Sequence, residues 1–157
     1  MARRNPDAAL EVALEQRKRV FDEAQLVLSQ RARMLQEAAS ALLAAQSRVQ
    51  MVLGQMDAAQ RPVPGVALPV AVLGDLEALL AWCEHQVVLQ HEHVVAAQSE
   101  VDDARTGVAT AHQGVRALEL VLAARAAERA EKRHRAELRD ADETAARVHS
   151  RKAAVRA

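Results

Sequence analysis

Aromatic residues are almost missing from this chain: its 157 residues include one Phe (Phe21), one Trp (Trp82) and no Tyr. A compact globular core draws much of its buried area from large rings, so their scarcity argues against one. Cysteine is equally sparse, with Cys83 alone, so no internal disulfide can staple the fold. No segment approaches roughly 18 uncharged apolar residues, which excludes a membrane-spanning helix. The longest uncharged stretch, Pro62 to Gly74, is broken by three prolines and two glycines. Strand pattern is absent too: the only β-branched run, Val70 to Val72, is short and follows Pro69. The opening residues Met1 to Pro6 are basic, but no apolar stretch follows, so they do not read as a secretion signal.

Net charge is also missing, since 21 Lys and Arg balance 21 Asp and Glu. The balance is uneven along the chain. Residues 1–69 carry nine basic and seven acidic side chains, residues 70–124 two and eight, and residues 125–157 ten and six. A general polyanion binder carries a strong basic excess, and this chain does not, which sets nucleic acid aside as a partner. The mixed, mildly basic C-terminal third suits a protein surface better.

What the chain does have is period. Leu14, Phe21, Leu28, Leu35, Leu42, Val49 and Met56 recur every seven residues, and so do Leu73, Leu80, Val87, Val94, Val101, Val108, Val115 and Leu122. A second row accompanies each: Leu10, Ala24, Ala38, Ala45 and Val52 in the first, interrupted by Arg17 and Arg31, and Leu76, Cys83, Gln90, Ala97, Ala104, Ala111 and Leu118 in the second. Sustained heptads keep one stripe of a helix facing a partner helix, which is the coiled-coil condition. Only Arg61 to Pro69 separates the runs, enough to reverse the chain. The expectation is therefore all-α: one domain, residues 1–157, forming a long antiparallel two-helix coiled-coil hairpin that is a monomer by itself. Helix one covers about 6–57, the connection about 58–70 and helix two about 71–155. Asn5, Pro6 and Asp7 read as the start of helix one, as cap, first-turn proline and dipole-complementing acid. The stems of Arg17 and Arg31 are expected to cover the seam, with their heads reaching solvent or a carboxylate across it.

Folding back around residue 64 places Leu14 opposite Val115 and residue 122 opposite residue 7. The apolar repeat thus ends where its partner begins, and residues 123–157 are expected to project as a charged helix of about 50 Å. Ion pairs at three- and four-residue spacing support such a helix weakly, by tenths of a kcal/mol each. Flank residues Val20, Val27 and Met34 are expected to widen the apolar face of helix one. On helix two, Leu79, Trp82 and Leu89 form one outer patch, with Val88 and Val95 on the opposite flank. Either the connection folds over a patch or the patch is a docking surface, where Trp82 is the strongest candidate. Gly107 and Gly114 either admit a close helix approach or soften the helix.

Catalytic and metal patterns are absent. His91 and His93 are two residues apart, so they lie on different sides of a helix and lack the spacing of a helical zinc motif. Asp140, Asp142 and Glu143 cluster without a cleft. No phosphate-cradling loop or base-paired nucleophile is present. The sequence therefore predicts neither an enzyme nor a cofactor.

A long helix, a Pro/Gly bend and a longer helix ending in Arg/Glu-rich sequence resemble the flagellar export protein FliJ family. The resemblance in motif rests on the tail, through Leu118, Glu119, Leu122, Arg129, Arg133, Glu137, Asp142, Glu143, Arg147 and Arg151. It implies a stalk-like, non-enzymatic component of the flagellar protein export apparatus. Implied partners are the export ATPase ring, the export gate protein and export chaperones, at a cytoplasmic site peripherally associated with the inner membrane at the flagellar base. Implied ATPase-binding candidates are Arg129, Arg133, Glu137, Asp142, Glu143 and Arg147. Leu79, Trp82 and Leu89 are the candidates for gate or chaperone docking. The stalk of a virulence-type secretion apparatus and a scaffolding coiled coil, which uses its heptads between chains, are the alternatives.

Overall fold

A computed structural model of the chain describes residues 6–156 in backbone and 6–151 in side chain. It is all-α: α1 spans Ala8–Gln60 and α2 spans Val70–Arg156. Asn5, the expected cap, lies outside the described residues. Asp7 immediately precedes α1, its carbonyl accepting the Glu11 N–H at 2.9 Å. Between the helices, Val63 to Val66 form a tight turn closed by the Val66 N–H on the Val63 carbonyl at 3.1 Å. Pro64 supplies the fixed φ of its second position, and Gly65 takes a φ of 79° at the third, which a side-chain-bearing residue adopts only with strain.

By packing the residues form two units, 21–110 and 1–20 with 111–157. In the first, the heptad rows meet as a seam. Ala45, Val52, Cys83 and Val101 are buried, Val101 most completely at 2% exposure. The other heptad positions from Phe21 to Met56 and from Leu73 to Val108 are half-buried. Small alanines dominate the second rows and valines the first row of α2, so the seam is narrow and leaves its flanks wet. Val27 and Met34 do not join it; they are 44% and 49% exposed. Arg31 does reach a carboxylate across the seam, its guanidinium donating to Glu100 at 2.6 Å.

In the second unit, Leu10 and Leu14 of α1 and Ala111, Val115, Leu118 and Leu122 of α2 are all buried or half-buried. Val20, the third expected flank residue, is 49% exposed. The Arg17 stem lies across Gly114: a Cβ built on that glycine would stand 3.6 Å from Arg17 Cδ. Gly114 therefore makes room for an arginine stem, whereas a Cβ on Gly107 meets nothing within 4 Å.

Candidate functional site

Two surfaces stand out, one in each unit. The first is the distal part of α2. Every residue from Ala123 to Arg151 is exposed. Its helix is braced by ion pairs one turn apart: Glu128–Lys132 at 2.7 Å, Glu131–Arg135, and Glu143–Arg147 at 3.4 Å. In all three the acid precedes the base, the orientation that also suits the helix dipole. The Lys132 ammonium holds the Glu128 carboxyl below its ordinary range, chiefly through their hydrogen bond.

Where this surface begins, Asp7 closes the end of α1 against α2. Its carboxylate, 3% exposed, accepts from Arg125 at 3.2 Å and from Arg129. The Arg129 hydrogen bond, opposed by burial and aided by Arg125, holds the Asp7 carboxyl below the usual range. Pairing between the helices thus continues past Leu122 to Arg129. Of the six tail candidates, Arg129 is engaged by Asp7 and Glu143 with Arg147 by each other, while Arg133, Glu137 and Asp142 are exposed around the same helix. The sequence marked Asp7 only as a dipole-complementing acid and did not pair it with Arg125 or Arg129; the signal was an acid at the helix start facing arginines in both seam rows just beyond Leu122.

The second surface lies near the turn. Leu79 and Trp82 are 42% and 53% exposed, and Leu89 is half-buried. The connection does not cover them: Val63, Val66 and Leu68 are themselves more than half exposed. Val88 and Val95 on the opposite flank are equally open. Among the described residues no group of acids, histidines or cysteine could hold a metal ion, and no helix is long and apolar enough to cross a membrane. Cys83 is buried in the seam.

A two-helix hairpin with a narrow seam and a charged distal helix defines an all-α coiled-coil protein. The chain belongs to the flagellar FliJ family, whose description, "Flagellar FliJ protein", matches residues 6–154. It is a coiled-coil protein associated with flagellar export. No curated protein and no solved structure matches it.

Proposed function

We propose that this chain is a stalk-like, non-enzymatic part of the flagellar export apparatus. Its distal α2 helix inserts into the export ATPase ring, while the patch at Leu79, Trp82 and Leu89 meets the export gate protein or export chaperones. The observation that carries this reading is the unbroken exposure of residues 123–151 on a helix that still holds its form through internal ion pairs. Exposed charged side chains make many weak, salt-sensitive contacts, which suit a helix that shifts between equivalent positions inside a ring. The protein then works in the cytoplasm, at the membrane face of the flagellar base, and is a monomer before it assembles. Within the family the flagellar role takes precedence over the virulence-type one.

The test is capture of purified export ATPase by the full chain. Charge reversal at Arg133, Glu137 and Asp142 should abolish capture and leave the helical circular dichroism and melting curve unchanged. Capture at the wild-type level by that variant would overturn the proposal. Trp82→Ala, by contrast, should leave ATPase capture intact and weaken binding to the gate or chaperone.

A further inference from the structure

Beyond Leu122 the two seam rows of α2 do not lose their pattern; they exchange apolar residues for cations. The first row continues with Arg129 and Ala136, the second with Arg125, Lys132 and Arg139, and the adjoining row with Ala126 and Arg133. These positions occupy an arc of about 140° on the helix and run for about 20 Å. From residue 125 to 139 the arc holds only cations and alanines. Every acid of that stretch, Glu128, Glu131 and Glu137, lies off it. The arc therefore prolongs the seam's own register as a basic stripe between alanine gaps.

One carboxylate already occupies it. Asp7 is buried against Arg125 and Arg129, the first two cations of the stripe. Lys132 turns to Glu128 on its own helix, and Arg133 and Arg139 form no ion pair among the described residues. Residues 1–6 contain two arginines and no carboxylate, so by charge they do not supply the next acid.

We infer that the stripe Arg125, Arg129, Lys132, Arg133 and Arg139 is a carboxylate-binding track for an acidic helical segment of a protein partner, which lies on α2 in the register that α1 uses. Asp7 is the intramolecular occupant of its first step. The inference deepens the ATPase-binding reading and rests on it only for the partner being a protein of the export apparatus.

The probe is a fluorescein-labelled helical peptide with Glu at three- and four-residue spacing and Ala elsewhere, titrated against the full chain at low and physiological salt. Binding should weaken steeply with salt. The double variant Lys132→Glu/Arg139→Glu should bind at least tenfold more weakly, and Lys132→Gln/Arg139→Gln should fall between it and wild type. Arg116→Glu, off the arc, should stay within twofold. Asp7→Asn, which vacates the first step, should bind severalfold tighter. Peptide binding within twofold of wild type by the double reversal overturns the track. Tighter, equally stripe-dependent binding of heparin at matched charge overturns the assignment to a protein partner. Capture of the export ATPase separates the two proposals. Equal capture by wild type and the double reversal refutes the track and leaves the ATPase reading standing. Failed capture by wild type, with peptide binding as expected, refutes the ATPase reading and leaves the track.

Discussion

Val101 and Val95 lie six residues apart on α2, one 2% and the other 57% exposed. Replacing each by alanine makes the same chemical change in two environments. Alanine is the better helix former by up to about 0.7 kcal/mol, and both variants gain that equally, so it cancels in their difference. What remains is burial. Two carbons removed from the seam cost about 1.5 kcal/mol at roughly 0.8 per buried methylene, and incomplete collapse of the space left behind raises this toward about 2 kcal/mol. At the surface the same deletion changes stability by less than about 0.5 kcal/mol. For a chain of this length each kcal/mol moves the melting midpoint by about 2–4 °C, so Val101→Ala should melt roughly 3–8 °C below Val95→Ala. Circular dichroism at 222 nm reads this directly. Midpoints within 1 °C of each other would refute the seam as the stabilising feature. The same melts should be independent of protein concentration, because an intramolecular hairpin has no mass-action term. A midpoint that climbs with concentration would favour a scaffold pairing between chains.

Three further outcomes follow from the same structure. The Arg31–Glu100 pair is 40% and 49% exposed, so a double-mutant cycle with alanine should give only about 0.2–1 kcal/mol of coupling, shrinking further in high salt. Asp7 has its folded pKa lowered from the ordinary 3.8, so its contribution is fully present above that value and is lost as pH falls through the lowered pKa. Asp7→Asn should therefore melt lower than wild type at pH 7, and the gap should close in strong acid; a gap that persists there would contradict the clamp. Gly107→Ala fills open space on a helix and should raise stability by about 0.5–1 kcal/mol, seen as a melting midpoint roughly 1–4 °C higher. A loss would mean that the helix is pressed closely at that point.

The rows of the seam were legible because a period of seven leaves little freedom: from Phe21 to Met56 and from Leu73 to Leu122, each first-row residue is buried or half-buried. Flanking residues were harder. Val20, Val27 and Met34 carry the same hydrophobic signal as seam residues, yet a two-helix seam lined with alanine and valine is too narrow to cover them. The turn was only partly legible: the Pro/Gly content marked a chain reversal, but not that Gly65 takes a positive φ at its third position. The Asp7 clamp was hidden for a related reason. A lone carboxylate at a helix start reads as a cap and dipole partner, and only the folded register brings it to Arg125 and Arg129. At the patch of Leu79 and Trp82, hydrophobicity could not say whether the connection folds over it; the structure leaves it open.

The central claim is that the paired part of the molecule builds the stalk while the unpaired part of α2 meets the ATPase. Hydrogen exchange followed by mass spectrometry, on the full chain with and without the purified export ATPase, tests both halves together. In the free protein, amides of residues 87–115 should be protected and those of 130–151 should exchange fast, since the distal helix is exposed throughout. Addition of the ATPase should slow exchange in 130–151 at least tenfold and leave 87–115 unchanged. Protection gained along the seam instead, or none in the distal helix, would contradict the account.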